Sequence, residues 1–278
     1  MENESIVVGR NAVIEALRAG VKIDKVFIAK GETDTALGYI ASVAREAGAV
    51  VVEADRRKLD RLCCDAAGAD IPGERTKYVR QGDDNSDGKN GDSGGRGGYV
   101  HQGVVAVVSQ TDYATVEDIL DFAGQKAEKP LIIICDEITD PHNLGAIIRT
   151  GYAAGAHGVI IPKRRNAGLS PAVVKASSGA VFHVKVARVP NIVAAIKKLK
   201  EAGVWIFAAE PDGKSSLWES DLTDATAIVI GAEGKGIGRL VGENCDFKVC
   251  IPMKGKISSL NASVSASILL YEALRQRR

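Results

Sequence analysis

From residue 131 onward the chain alternates short apolar runs with segments of helical period, and this rhythm sets the expected fold. LIIICDE (131–137) is a continuous apolar run, the pattern of a strand buried on both faces of a parallel sheet. NLGAIIRTGYAAGA then predicts a helix, GVIIP a strand, and SPAVVKASSGA a helix with Pro171 in its first turn. VKVARV is a strand, NIVAAIKKLKEAG a helix closed by Gly203, and VWIFAAE and AIVIG two more strands. FKVCIP precedes a terminal helix in which Val264, Ile268 and Tyr271 recur at i, i+4, i+7 as an apolar face. Such alternation predicts an α/β fold with a mostly parallel sheet, whose ligands bind beyond the carboxyl ends of the strands.

Residues 1–108 read differently, as a small αβ unit. AVIEALRAG is a helix closed by Gly20, KVFIAK a strand, TALGYIASVAREAG a helix and AVVVEA a strand. ADRRKLDRLC follows as a short helix whose Arg56, Arg57, Lys58 and Arg61 suit either a solvated face or RNA phosphates. Gly82–Gly98 carries seven glycines and no apolar side chain, so it buries too little to offset its ordering entropy and is expected to be disordered. Strand pattern resumes at YVHQGVVAVV, which makes that stretch an insertion within the first domain. The connection between domains is expected at 109–130, with one short helix, and the second domain at 131–278.

Composition narrows the class without naming a chemistry. Hydrophobic residues make up 45% and charged residues 26%, ordinary for a globular chain with a sizeable core. The net charge of +1 means that a nucleic-acid partner needs a local basic patch. Five cysteines form no CxxC pair, and no histidine stands at ligand spacing from a cysteine pair, so no metal is expected. No apolar run is long enough to span a membrane, and Met1–Ser5 is too acidic to open a signal peptide; three of the cysteines lie in strand or helix patterns, which suits reduced core thiols in a cytoplasmic protein.

Two nucleotide signatures nearly occur. Gly234, Gly236 and Gly238 give GxGxG, but Arg239 stands where a dinucleotide loop needs its third glycine. Gly213-Lys214-Ser215 resembles the end of a P-loop, but Ala208 stands in place of its first glycine. No GxSxG elbow is present for a serine hydrolase.

Three other motifs each follow a strand. They are Asp140-Pro141-His142-Asn143-Leu144-Gly145 with Arg149 beyond it, Ile230 to Gly236 (IGAEGKG), and Ile251-Pro252-Met253 followed by Ser258 to Val264 (SSLNASV). In this order they resemble the SpoU/TrmH family of the SPOUT class of RNA methyltransferases. Residues 5–108, ending in HQG at 101–103, resemble the ribosomal-protein-like substrate-binding domain that precedes it in many members. The layout is most similar to the RlmB-type enzymes, which methylate a guanosine ribose in large-subunit ribosomal RNA. The 82–98 insertion and Ala262 depart from the family pattern.

The resemblance implies a trefoil-knotted fold, a homodimer, and S-adenosylmethionine as methyl donor, with RNA, ribosomal RNA first and transfer RNA as the rival, as substrate. It implies Gly231, Ile251, Met253 and Leu260 as cofactor contacts, and Asn143, Arg149, Glu233 and Asn261 as the polar catalytic positions, with Ser259 a further candidate. Each has a structural reading beside the functional one. Asn143 and Asn261 suit helix caps, Arg149 suits a partner of Asp136 or Glu137, and Glu233 suits a loop carboxylate bound by amides. A non-catalytic RNA-binding protein of the same fold is the alternative from another class.

Overall fold

A computed structural model describes residues 5–31, 34–67, 101–108, 113–255 and 259–278, so the 82–98 insertion lies outside the described residues. The first domain strings β1 (Ser5–Val8), α1 (Arg10–Arg18), β2 (Ile23–Ala29), α2 (Thr35–Glu46), β3 (Val50–Ala54), α3 (Arg56–Ala67) and β4 (Val104–Val108). Its sheet runs β1-β4-β2-β3, with β4 antiparallel to both neighbours and β2 parallel to β3. Period-two alternation splits the strand residues between faces: Val7, Val26 and Ile28 pack with α1 and α2, whereas Phe27 and Val105 pack with Leu59 and Cys63 of α3. Asp34 caps α2 by accepting from the Ala36 amide at 2.9 Å, and Arg10 of α1 holds the same carboxylate at 2.6 Å.

The second sheet has seven strands: β5 (Leu131–Asp136), β6 (Gly158–Pro162), β7 (Lys185–Val189), β8 (Trp205–Ala209), β9 (Ser215–Ser216), β10 (Thr226–Gly231) and β11 (Phe247–Cys250). Their order is β7-β6-β5-β10-β8-β11-β9 and every pairing is parallel. All six residues of β5 are buried, as its unbroken apolar run predicts. The helices are α4 (Val116–Gln125), α5 (Pro141–Ala153), α6 (Pro171–Ala176), α7 (Ile192–Glu201), α8 (Arg239–Asn244) and α9 (Ala262–Gln276). Residues from α5, α6 and α9 cover Ile133, Cys135, Ile228 and Ile230 on one face. Those from α4, α7 and α8 cover Ile132, Ile134, Ala227 and Val229 on the other. Thus the helix in the stretch read as a connection, α4, packs Val116 and Ile119 on the large sheet.

Three sequence expectations change. The strand at 5–8, the two-residue β9 and α8 carry too few residues to show a period. The helix expected over 170–180 stops at Ala176, because Ser178 and Gly179 turn to φ +51° and +84° and a 3-10 turn follows at Ala180–Phe182. Most consequentially, α9 buries Ala262, Ala266, Leu269, Leu270 and Ala273, and of the expected face only Ile268 packs, partly buried, against the core. Val264 is 44% and Tyr271 52% exposed. Small side chains let α9 approach α5, and that close contact outweighs the larger residues on its other side.

The two domains meet where α1 rests on the turn after α6. Gly179 leaves no room there: a Cβ on it would lie 2.5 Å from the Glu15 Cβ. Glu15 reaches across to His183 Nε2 at 2.9 Å.

Candidate functional site

All parallel strands of the large sheet end on one side, so the connections after β5, β10 and β11 come together there. After β5, Asp140 caps α5 by accepting from the amides of His142 at 3.0 Å and Asn143 at 3.3 Å, with Pro141 in the first turn. Because Asp140 takes the capping role, the Asn143 side chain is released to turn inward, where the residue is 8% exposed. Its Nδ2 donates to Glu233 Oε1 at 2.9 Å. From the start of α9, Asn261 Nδ2 donates to the same Glu233 Oε1 at 2.6 Å and to Asn143 Oδ1 at 3.0 Å. Asn261 Oδ1 meanwhile caps α9, accepting from the amides of Ser263 and Val264 at 3.0 and 3.3 Å. One asparagine is therefore both cap and part of the cluster, and neither reading of it excludes the other.

Glu233 sits on a tight loop. Ala232 and Gly236 exchange two backbone hydrogen bonds, of 3.1 and 2.8 Å, and Gly234 and Gly236 adopt φ of +79° and +68°. The loop folds back on Gly231 so closely that a Cβ there would lie 2.2 Å from the Gly236 carbonyl carbon. Only glycine fits that approach. Asp136, at the end of β5, anchors the far side of the loop by accepting from the Gly238 amide at 2.7 Å. Burial pushes the Asp136 carboxyl up, and the Gly238 amide pulls the other way.

Beside the cluster opens a cavity of about 570 Å³, within the range of cofactor pockets. Gly231, Ile251, Met253 and Leu260 all line it, as do Glu233 and Asn261. Asn143 does not, so the three-residue cluster forms the rim between the cavity and the β5 side of the crevice. Ser259 and Ser265 also line the cavity, and Ser258 lies outside the described residues. Sequence reasoning missed Ala209 and Glu210, which reach the cavity from the end of β8. The readable signal was position: both lie at the carboxyl end of a parallel strand. Glu210 is held by Lys248 Nζ at 2.8 Å.

Arg149 is not with the others. α5 runs unbroken from Pro141 to Ala153, so at 1.5 Å per residue Arg149 lies about 9 Å along its axis from Asn143. It is exposed and makes no side-chain bond among the described residues. The structural partnership that its position suggested does not form either: Asp136 holds Gly238, and Glu137 pairs with Arg165 at 3.1 Å.

The cavity has the character that S-adenosylmethionine requires. Ile251, Met253 and Leu260 offer an apolar surface for an adenine, and carboxylates at Glu210 and Glu233 suit a cation. Among the described residues no cluster of histidine, cysteine and carboxylates could hold a metal ion, and no helix is long and apolar enough to cross a membrane.

Comparison with known proteins agrees with this geometry. Residues 130–271 match the SpoU rRNA Methylase family, and residues 6–66 match the RNA 2′-O ribose methyltransferase substrate-binding domain. Over 276 residues the chain is 38% identical to YacO of Bacillus subtilis (strain 168), assigned to the TrmH family of tRNA/rRNA methyltransferases, covering 99% of this chain and 97% of that protein. Its fold is similar to the SpoU methyltransferase AviRb of Streptomyces viridochromogenes, solved with the cofactor AdoMet (TM-score 0.73, 25% identity, 99% and 90% coverage). It is also similar to the TrmH/SpoU tRNA modifying enzyme of A. aeolicus, at TM-score 0.50 and 32% identity, over 58% of this chain and 80% of that one.

Proposed function

The chain belongs to the SpoU family of S-adenosylmethionine-dependent RNA methyltransferases, and from that premise we propose that it methylates a guanosine ribose 2′-hydroxyl in large-subunit ribosomal RNA. The observation that carries the reading is the meeting of Asn143, Glu233 and Asn261, residues 90 and 118 positions apart, on the rim of the cavity. A purely structural set of caps and loop carboxylates has no reason to converge there. The choice of ribosomal RNA rests on the two-domain layout, with a substrate-binding domain ahead of the catalytic one; transfer RNA is the second reading, favoured by the likeness to a tRNA modifying enzyme.

S-adenosylmethionine, when bound, supplies a methyl group activated on a sulfonium, so the protein's tasks are binding, orientation and exclusion of water. Gly231, Ile251, Met253 and Leu260 hold the donor without a countercharge for its adenine. Asn143 and Asn261 fix the Glu233 carboxylate from two sides. Arg149 grips a substrate phosphate, whose charge its planar guanidinium can hold with two parallel hydrogen bonds. The acceptor ribose enters from the β5 side of the rim, opposite the donor cavity, an arrangement that favours in-line attack.

Self-association belongs to the same reading. α5 and α9 expose the large apolar side chains of Tyr152, Val264 and Tyr271 at 49%, 44% and 52%, which a second copy would cover, and Tyr152 follows Arg149 by three residues on α5. Sedimentation of a fully active monomer at micromolar concentration would remove it. The trefoil threading implied by the family is part of the proposal too, and the packing of α9 against α5 and β10 is compatible with it.

The decisive experiment combines calorimetry with mapping of 2′-O-methyl sites in ribosomal and transfer RNA from cells with and without the protein. The expected result is S-adenosylmethionine binding and one ribosomal guanosine that loses its methyl. A missing transfer-RNA methyl would select the second reading, and a chain that binds no S-adenosylmethionine would sink both.

A further inference from the structure

We infer that Glu233 is the proton acceptor for the ribose 2′-hydroxyl, with its Oε2 atom as the base; this rests on the methyltransferase reading above. Both amide donors, Asn143 Nδ2 at 2.9 Å and Asn261 Nδ2 at 2.6 Å, converge on one oxygen, Oε1. Two such bonds lock the carboxylate's rotamer. They leave Oε2 without a hydrogen bond among the described residues, on a side chain that lines the cavity.

The neighbouring groups do not compete. The two asparagine amides are not bases. Arg149 offers only hydrogen-bond donors and lies about 9 Å along the helix from Asn143. Asp136 is 7% exposed, with Oδ2 committed to the Gly238 amide behind the loop. Glu210 is tied to Lys248 at 2.8 Å. His142 is exposed, and only its backbone amide is bonded, to Asp140. Glu233 is the group of the cluster that combines a fixed position, a negative charge and a free lone pair.

A carboxylate is a weak base for a ribose hydroxyl in its resting state, but it does not act on the resting state. As the ribose oxygen bonds to the methyl carbon it becomes strongly acidic, so a positioned acceptor of modest basicity suffices. In the balanced step the oxygen–carbon bond forms while the carbon–sulfur bond breaks with its electron pair left on sulfur. The oxygen–hydrogen bond breaks and its proton moves to Glu233 Oε2. A carboxylate and a sulfonium become a carboxylic acid and a thioether, with no charge left over and no further reactant needed.

Glu233→Gln tests this, because glutamine retains an oxygen for both asparagine amides and replaces only the proposed basic atom. Three quantities are read on the full chain: S-adenosylmethionine affinity by calorimetry, melting temperature, and single-turnover methylation of saturating RNA across pH. The expected variant melts like wild type, binds the donor within about threefold and methylates about 10²–10⁴-fold more slowly, the range for a lost general base. The fall in wild-type rate toward acid disappears in the variant, and added formate restores part of the rate to Glu233→Ala. A Gln variant that turns over within threefold of wild type, or that keeps the acid-side fall, overturns the assignment. A rate loss matched by an equal loss of donor affinity also overturns it, since Glu233 would then hold the donor. Failure of the functional reading itself would be visible earlier, in a wild-type protein that neither binds the donor nor methylates RNA.

Discussion

Replacing Gly231 by alanine adds one methyl group and should disable the site. Its Cβ would lie 2.2 Å from the Gly236 carbonyl carbon, 2.3 Å from the Ile237 nitrogen and 2.5 Å from the Gly236 oxygen, where ordinary contact begins near 3.4 Å. All three are backbone atoms, so no side chain can swing aside, and the loop must move by about 1 Å to restore contact distances. That movement breaks the two hydrogen bonds exchanged by Ala232 and Gly236, at about 1 kcal/mol each. With overpacking of at least about 1 kcal/mol, the loss is about 3 kcal/mol. For a domain of this size it lowers the melting temperature by about 6–12 °C. The functional effect is larger, because the same displacement carries Glu233 away from Asn143 and Asn261, and about 1 Å of misplacement can cost 10²-fold in rate. Gly234→Ala is the control: its Cβ meets nothing within 4 Å, and only the φ of +79° is strained, at about 1 kcal/mol. Melts, donor calorimetry and single-turnover rates on both variants decide the matter. Gly231→Ala with wild-type stability and donor affinity would refute the close-approach argument.

Two further outcomes are expected. Arg149→Lys keeps the charge but loses the planar fork, so it should bind donor and melt as wild type while methylating about 10²–10³-fold more slowly; unchanged single-turnover rates would remove Arg149 from the site. His157 is 2% exposed and accepts from the Leu131 amide at Nδ1, while Nε2 faces Glu128 Oε2 at 3.0 Å, so it is folded in as the neutral ring. Burial depresses its pKa, against the opposing pull of Glu128. Its contribution is therefore complete above the ordinary value of about 6.5 and declines as pH falls below that value. Melting temperatures from pH 7.5 down to 5.5 should drop more in wild type than in His157→Gln, and parallel curves would count against this account.

The central strands were legible because burial on both faces writes itself as an unbroken apolar run, as in LIIICD. The cofactor loops were legible as motifs, yet their arrangement was not, since Asn143 and Asn261 are 118 residues apart and meet only in three dimensions. Reading Asn143 as a cap was locally sound, but Asp140 reaches the same amides from the better position ahead of Pro141. The apolar face of α9 was misread because periodicity favours bulky side chains, whereas alanines at 262, 266 and 273 are chosen by proximity to other elements. Glu210 was only half legible for a related reason: its place just after β8 could be read, but nothing in VWIFAAE says which strand lies beside β11. Arg149 stood beside Asn143 through the resemblance alone, and the unbroken α5 keeps the two apart.

The spacing of the three rim residues also has a meaning in time. A ribosome makes Asn143 first, Glu233 after 90 more residues, and Asn261 28 residues later. β10, which leads into the loop of Glu233, inserts between β5 and β8, both of which are made before it. The first domain can fold early, since domains generally form as units in order of synthesis. Nascent chains that end between β4 and Asn261 can therefore hold the first domain's whole sheet and yet lack the rim. On the proposed reading of the rim, a protein that modifies RNA is thus silent throughout most of its own translation, surrounded by the ribosome's RNA but not yet able to alter it.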